Sequence, residues 1–283
     1  MTEIAHDDRP TLVLGGTGKT GRRIVERLKA RGVPVRVGSR SGTPRFDWDD
    51  RSTWAPALQG VGAAYISYYP DLTTPGAPEA VRALADLAVD QGVGRLVLVS
   101  GRGEDEAQRA EREVQATGAE VTIVRCAWFM QNFSEDYLLD PIRAGEVVLP
   151  ATDDQLEPFV DADDIADVAV AALTEPGHAG QVYELTSPRL LNYPEAVAEI
   201  AKAAGREIQY VPVSVEDYAA GAAEHGVPAG IVGMLTYLFS DVLGTGAYVT
   251  DGVQRALGRP ARDFSDYAAR TAATGIWNPP TDR

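Results

Sequence analysis

The chain contains little cysteine, histidine and lysine. Its 283 residues include one cysteine, three histidines and three lysines. The single cysteine, Cys126, excludes an intramolecular disulfide, suits a reducing compartment and is predicted to be a small core residue at the end of a strand. The histidines His6, His178 and His225 are far apart in the sequence and lack metal-ligand spacing, so no metal site is expected.

Long apolar runs are also absent. No uninterrupted run approaches the roughly 18 residues that a membrane-spanning helix requires. The first ten residues, MTEIAHDDRP, are acidic and have no apolar centre. They do not resemble a signal peptide, so we expect a cytoplasmic protein without membrane contact.

Positive charge is scarce relative to negative charge. Forty-one acidic residues against 26 basic ones give a formal net charge of −15. The average surface therefore repels polyanions, which disfavours direct binding to nucleic acid. The composition leaves an oligomer open.

A glycine-rich segment follows the first apolar run, Thr11–Leu14. It consists of Gly15, Gly16, Thr17, Gly18, Lys19, Thr20 and Gly21. A phosphate-binding P-loop would need a glycine five residues before Gly18, where Val13 stands, so that interpretation fails on spacing. The dinucleotide-binding pattern G-x-G-x-x-G fits, and it places a pyrophosphate at the N-terminus of the following helix. A purely structural turn is the alternative.

The first half of the chain alternates predicted strands and helices. Strands are expected at 11–14, 34–38, 62–69, 96–100 and 121–126, and helices at 52–58, 78–90 and 104–117. This alternation predicts a Rossmann-like, doubly wound parallel α/β sheet. We expect residues 1–131 to form the dinucleotide-binding core, to which later elements return near 155–187. Residues 132–283 should form mainly a smaller C-terminal α/β substrate lobe.

The second half has a less regular pattern. Helices are expected at 164–173, 215–224, 229–243 and 250–257, and strands at 182–185 and 209–213. Another helix should begin at Asn192, which forms a capping-box pattern with Glu195, and should end at Gly205.

The end of the second predicted strand indicates which dinucleotide is bound. Sheets that bind NAD usually carry Asp or Glu there to hold the ribose 2′-hydroxyl. Ser39 and Arg40 stand in that place, and a hydroxyl and a guanidinium suit the 2′-phosphate of NADP(H). NADP(H) is therefore the expected cofactor, although Arg40 is also compatible with an ordinary surface position. The following loop, 47–49, could cover the adenine or form a solvated turn.

Five separated motifs occur along the chain. They are GGTGKTG at 15–21, SRSG at 39–42, VRCAWFMQNF at 124–133, PFVDADDIADVAVAAL at 158–173 and GREIQYVPVSVEDY at 205–218. Together they resemble the NmrA-like group of atypical short-chain dehydrogenases/reductases, over nearly the whole chain. The resemblance implies an NAD(P)-binding Rossmann domain whose glycine loop and Arg40 contact the cofactor. It also implies a nicotinamide and substrate pocket lined by Trp128, Phe129, Met130 and Asn132.

One feature of typical short-chain reductases is missing. Those enzymes use a Tyr-x-x-x-Lys pair, whose helical spacing puts both side chains on one face so that the ammonium lowers the pKa of the phenol. No lysine of this chain has a tyrosine four residues earlier. The corresponding helix offers Arg109 and Arg112 among glutamates, and these are predicted to form a solvated, ion-paired face.

Other polar groups near strand ends are candidates for the site. Tyr68 and Tyr69 lie at the end of the third predicted strand and Tyr137 follows the pocket motif, and each could donate a proton or simply pack as an aromatic residue. Ser67, in the third predicted strand, is expected to contact the cofactor. Ser100 ends the fourth predicted strand, where it could contact the cofactor or cap the next turn.

These features favour an NADPH-dependent oxidoreductase that transfers a hydride to a small conjugated carbonyl, quinone or imine acceptor. The nicotinamide performs the hydride transfer, and an electrophilic acceptor needs little acid help. The alternative is an NADP(H)-binding, redox-sensing regulatory protein of the NmrA type that acts through a protein partner. The missing Tyr/Lys pair favours this alternative, whereas the aromatic segment 127–133 is compatible with both.

Overall fold

The structure is a computed structural model that describes residues 8–244 and 247–279. The expectations about the amino terminus and His6 lie outside these residues. The chain divides into two compact units. Unit 1 comprises Met1–Cys126, Ala162–Glu184 and Gly252–Arg259; unit 2 comprises Ala127–Asp161, Leu185–Asp251 and Pro260–Arg283.

Eight strands occur in the described residues. They are β1 Thr11–Leu14, β2 Val35–Gly38, β3 Ala63–Ile66, β4 Arg95–Gly101, β5 Glu120–Cys126, β6 Glu146–Leu149, β7 Val182–Leu185 and β8 Gln209–Pro212. Six of them form one sheet in the order β2-β1-β3-β4-β5-β7, while β6 and β8 form a separate parallel pair. Strands β1 to β5 pair in parallel. The predicted Rossmann-like fold is thereby confirmed.

Eleven α-helices accompany the strands in the described residues. They are α1 Lys19–Ala30, α2 Trp54–Leu58, α3 Ala77–Asp90, α4 Asp105–Gln115, α5 Leu139–Ala144, α6 Ala162–Thr174, α7 Tyr193–Ala204, α8 Val215–Glu224, α9 Ala229–Tyr237, α10 Gly252–Leu257 and α11 Phe264–Ala273. None of them is both long and apolar enough to cross a membrane.

The core of unit 1 follows from the apolar pattern of its elements. Every residue of β1 and β3 is buried, as expected for central parallel strands covered on both faces. Helix α1 buries Ile24, Val25 and Leu28 on one face, and the chain turns at Gly32 with φ +72°. This packing fixes the start of α1 directly beyond the end of β1.

Unit 2 has its own core, which is rich in aromatic rings. Phe133, Phe159, Tyr193 and Phe264 are fully buried and pack against one another in edge-on or tilted arrangements. The predicted capping box of α7 is confirmed, because Asn192 accepts from the Glu195 N–H and the Glu195 carboxylate accepts from the Asn192 N–H.

The structure differs from the sequence expectations at several element ends. The strand predicted at 62–69 ends at Ile66, so Ser67 to Tyr69 lie in the loop beyond the sheet. The helix predicted at 229–243 is α9 followed by a π-helical turn at Leu238–Val242. Three elements had no sequence expectation at all, namely α5, β6 and α11.

Candidate functional site

The glycine loop forms a tight turn between β1 and α1. Gly15 has φ +63°, a conformation that favours glycine. Its N–H donates to the carbonyl of Gly38 at 3.0 Å, and its own carbonyl accepts from the N–H of Gly18 at 2.8 Å. The loop therefore depends on glycine for its shape and is held against the end of β2.

Two other glycines allow close approach of backbone and neighbouring side chains. A Cβ added at Gly16 would lie 2.9 Å from Cγ1 of Val37 and 3.0 Å from the carbonyl oxygen of Val13. A Cβ added at Gly21 would lie 2.7 Å from the carbonyl carbon of Gly15. Both positions exclude any larger residue, as the dinucleotide-binding pattern requires.

The N-terminus of α1 is suited to an anion. Gly18 occupies the capping position without a side-chain hydrogen bond, and the first turn contains no acidic residue. Unpaired N–H groups and the positive end of the helix dipole favour a phosphate there. Thr17 and Gly18 are exposed, whereas Thr20 is buried and its hydroxyl lies 2.9 Å from that of Tyr65. The Thr20 hydroxyl thus fastens α1 to β3.

Arg40 follows β2 and has no ion-pair partner among the described residues. Its guanidinium carbon lies 5.8 Å from the centroid of the Tyr69 ring, which is 68% exposed. Most other arginines of unit 1 are engaged by carboxylates, such as Arg31 with Glu175 at 2.8 Å. A guanidinium that follows β2 and forms no ion pair with a described residue fits a 2′-phosphate. The roles of Ser39 and Arg40 in cofactor binding remain predictions.

The loop at 47–49 is ordered by its own aromatic residue. The indole N–H of Trp48 donates to the carbonyl of Ser67 at 3.1 Å, and the ring centroids of Trp48 and Tyr68 are 4.7 Å apart. Gly15 also lies close to Ser67, since a Cβ added at Gly15 would be 3.5 Å from the Ser67 hydroxyl oxygen. The ends of β1 and β3 and this loop thus converge around Ser67.

Two buried polar side chains without a partner lie near the carboxyl end of β4. Ser100 is 4% exposed and Glu104 is 7% exposed. Neither the Ser100 hydroxyl nor Oε2 of Glu104 has a hydrogen-bond partner. Such groups reduce stability unless water or a ligand satisfies them. They are therefore candidates for contact with a ligand or with water at this edge of the sheet.

The protonation of Glu104 is set by its surroundings. Gly101 leaves room for the carboxyl group, because an added Cβ there would overlap with it. Burial, followed by the charges of Asp71 and Glu111, raises the pKa of Glu104 to about 8. At neutral pH Glu104 is therefore mainly an uncharged carboxylic acid. Sequence reasoning missed this residue, because its place at the start of the helix predicted at 104–117 gave no sign of burial.

The three candidate tyrosines have different environments. The pKa of Tyr68 is raised by partial burial and by the charge of Asp49. Burial, then Tyr218 and Asp136, raise the pKa of Tyr137. A raised pKa makes a phenol a weaker acid. Tyr69 stacks under Arg40, which favours a supporting role over a catalytic one.

The predicted pocket segment belongs to unit 2. The Trp128 ring packs edge-on against Phe133, Phe159 and Tyr193, and Met130 is fully buried. Both are therefore well placed to pack the core. Trp128, Phe129 and Asn132 are only partly buried. Of the predicted pocket residues, these three have the surface needed to contact a ligand, and their role remains a prediction.

Other candidate groups have structural partners. Cys126 is buried, as predicted, and burial raises the pKa of its thiol. Arg109 pairs with Glu106 and with Glu79 of α3, so the predicted ion-paired face also links two helices. No group of three or more potential metal ligands was found in the described part of the chain.

A parallel sheet with a glycine turn at its first strand–helix junction defines a dinucleotide-binding, Rossmann-like protein. The chain belongs to the NAD(P)H-binding family, which matches residues 15–176. It is 32% identical over 279 residues to an agroclavine dehydrogenase from Claviceps fusiformis, covering 91% of this chain and 96% of that one. It is 31% identical over 290 residues to an NAD(P)H azoreductase from Xenophilus azovorans, covering 93% and 98%. The family is thus one of NAD(P)H-dependent oxidoreductases.

Solved structures share the fold over nearly the whole chain. An NADPH-dependent quinone oxidoreductase from Escherichia coli, complexed with NADPH, superposes with a TM-score of 0.76 at 22% identity, covering 92% of this chain and 99% of that one. NmrA, a negative transcriptional regulator, superposes with a TM-score of 0.70 at 18% identity, covering 95% and 99%. The fold implied by the NmrA-like resemblance is confirmed, and so is membership of an NAD(P)H-binding family.

Proposed function

We propose that the protein is an NADPH-dependent reductase that delivers a hydride to a small conjugated carbonyl, quinone or imine acceptor without a Tyr-x-x-x-Lys pair. The observation that carries this proposal is the pairing of a complete glycine loop with an uncommitted Arg40 at the end of β2. The first binds the pyrophosphate, and the second selects the 2′-phosphate.

The chain's own residues have separable roles. The N–H groups that follow Gly18 hold the pyrophosphate, and Arg40, supported by Tyr69, holds the 2′-phosphate. Ser100, whose hydroxyl is buried and unpartnered, provides a hydrogen bond at the end of β4. The bound cofactor supplies the hydride. The adenine half is expected at β2, so the nicotinamide half belongs on the other side of the switch point, near β3 and β4.

The names of the relatives support reduction of a conjugated nitrogen or carbon acceptor. An azoreductase and an agroclavine dehydrogenase are each at least 31% identical to this chain. The azoreductase is named for the NAD(P)H-dependent reduction of an azo group, which is a nitrogen–nitrogen double bond. The acceptor of this chain is proposed to belong to the same broad class.

The test combines binding with turnover. Dissociation constants for NADPH and NADH are measured by calorimetry, and oxidation of NADPH is then followed with menadione, an azo dye, an enal and a cyclic imine, against enzyme-free controls. We expect NADPH to bind more tightly than NADH and at least one acceptor to be reduced. Tight NADPH binding without any turnover would refute the reductase and favour the sensing alternative.

A further inference from the structure

The carboxyl end of β4 holds a buried carboxylic acid that the proposed reaction does not yet use. Glu104 folds back over Gly101, the last residue of β4, and only the absence of a Cβ at Gly101 makes room for it. Parallel α/β sheets bind their ligands outside the carboxyl ends of the strands. The Glu104 carboxyl group therefore lies at the edge where the ligand of unit 1 is expected.

Among the residues that the structure describes, none forms a hydrogen bond with one oxygen of this acid. Oε2 of Glu104 is buried without a hydrogen-bond partner, and so is the hydroxyl of Ser100 at the same end of β4. A buried carboxyl group kept only for packing would be replaced at lower free-energy cost by an apolar side chain. Two unpartnered polar groups at one strand end indicate contacts that form only when a ligand is bound.

Burial and the charged neighbours of Glu104 keep it protonated. Burial raises its pKa most, and Asp71, in the loop after β3, and Glu111, on α4, raise it further. The guanidinium of Arg125, on β5, donates to both oxygens of Glu111 at 2.9 and 2.5 Å, so this cation is already engaged. Cys126, at the end of β5, has a neutral thiol because burial raises its pKa.

We propose that Glu104 is the proton donor of the reductase, an assignment that rests on the proposed function. When a quinone takes up a hydride, one of its oxygens gains a negative charge and needs one proton. The O–H bond of Glu104 breaks, a new O–H bond forms on the acceptor, and the carboxylate regains a proton from water. A cationic iminium needs no proton, because hydride uptake alone gives the neutral amine.

This difference between acceptors provides the test. Glu104→Gln keeps the shape and hydrogen-bonding capacity of the side chain but has no acidic proton. We expect it to lower kcat for menadione by about 100-fold or more. Reduction of an N-methyl dihydroisoquinolinium cation and the dissociation constant for NADPH should change less than threefold. Asp105→Asn removes an exposed carboxylate from the same helical turn and serves as the matched control.

Two pH measurements complete the test. In the unsubstituted protein, kcat/KM for menadione should fall as pH rises through about 8, and Glu104→Gln should remove this inflection. The carboxyl carbon of Glu104, observed by carbon-13 NMR without cofactor, should titrate near the same pH. A midpoint below pH 6, or retained menadione turnover in Glu104→Gln, overturns the assignment.

The outcomes also separate this assignment from the proposed function. If the unsubstituted protein reduces neither acceptor, the reductase proposal fails and the proton donor fails with it. If it reduces the iminium alone, or if Glu104→Gln loses both activities equally, the reductase stands and the proton donor is refuted. If the unsubstituted protein reduces menadione alone, the proton-donor assignment stands when Glu104→Gln lacks the inflection near pH 8 and is refuted when the inflection remains.

Discussion

Gly21, in the first turn of α1, packs its backbone against the carbonyl group of Gly15, leaving no room for a side chain. A Cβ at Gly21 would lie 2.7 Å from the Gly15 carbonyl carbon and 2.8 Å from the Cα of Gly16. Because both neighbours are backbone atoms, they cannot move aside without opening the loop. The shape of the phosphate-binding turn is thus coupled to the position of α1.

Replacing Gly21 with alanine should damage both the fold and the site. We expect Gly21→Ala to lower the free energy of unfolding by about 1–3 kcal/mol, the usual cost of overpacking a tight position, and to weaken NADPH binding at least tenfold. Thermal unfolding and calorimetric titration measure the two effects. Gly94→Ala is the control in the same unit, since an added Cβ there meets nothing within 4 Å. Normal NADPH affinity in Gly21→Ala would contradict the coupling.

Gly18 should respond differently, because it is exposed. A Cβ at Gly18 meets only the Gly15 carbonyl oxygen, at 3.3 Å. We therefore expect Gly18→Val to leave the unfolding midpoint almost unchanged while abolishing binding of both NADPH and NADH, since the branched side chain would occupy the space of the pyrophosphate. If Gly18→Val bound either cofactor as tightly as the unsubstituted protein, our placement of the pyrophosphate would be wrong.

Arg40 should discriminate between the two cofactors. The guanidinium has no ion-pair partner among the described residues, so its removal disturbs little else in unit 1. We expect Arg40→Ala to weaken NADPH binding by roughly 10- to 100-fold, the loss of a charge-assisted bidentate contact, and NADH binding by less than twofold. Arg31→Ala removes the same charge from the far end of α1, where Arg31 pairs with Glu175, and should change neither. If Arg40→Ala lost affinity for NADPH and NADH equally, Arg40 would not be the residue that contacts the 2′-phosphate.

The glycine loop and the main strands could be predicted from the sequence because their signals are local. Strand β1 and the Asn192 capping box occur where the sequence placed them. Helix α5 escaped prediction because it has only six residues and contains Pro141. Helix α9 is apolar throughout yet buries only Leu235, so periodicity could not reveal where it gives way to the π-helical turn.

Only part of the candidate site could be predicted from the sequence, because sequence signals are local. The roles proposed for Gly18 and Arg40 depend on positions relative to one strand or one helix. The protonation of Glu104 depends first on its burial and then on Asp71, which is 33 positions earlier in the sequence and is brought near by the pairing of β3 with β4. Short-range spacing contains no information about such a contact.

The stability of the protein should report the burial of Glu104 independently of any ligand. Its pKa is raised from 4.5 to about 8 on folding, so between these values the native state binds a proton that the unfolded state has lost. The contribution of Glu104 to stability is therefore present below pH 4.5 and is lost as pH rises through 8. The loss amounts to about 1.4 kcal/mol per pH unit, and about 5 kcal/mol at full ionisation.

Glu104→Gln removes this titration. The stability of the variant relative to the unsubstituted protein, measured as the difference in free energy of unfolding, should therefore increase steadily from pH 5 to pH 8.5. Urea denaturation at four pH values in that range measures the trend. A constant difference between Glu104→Gln and the unsubstituted protein would mean that Glu104 ionises normally in the native state. The predicted gain in alkaline stability, opposed to the predicted loss of quinone reduction, is the pattern expected of a residue whose burial serves the reaction and not the fold.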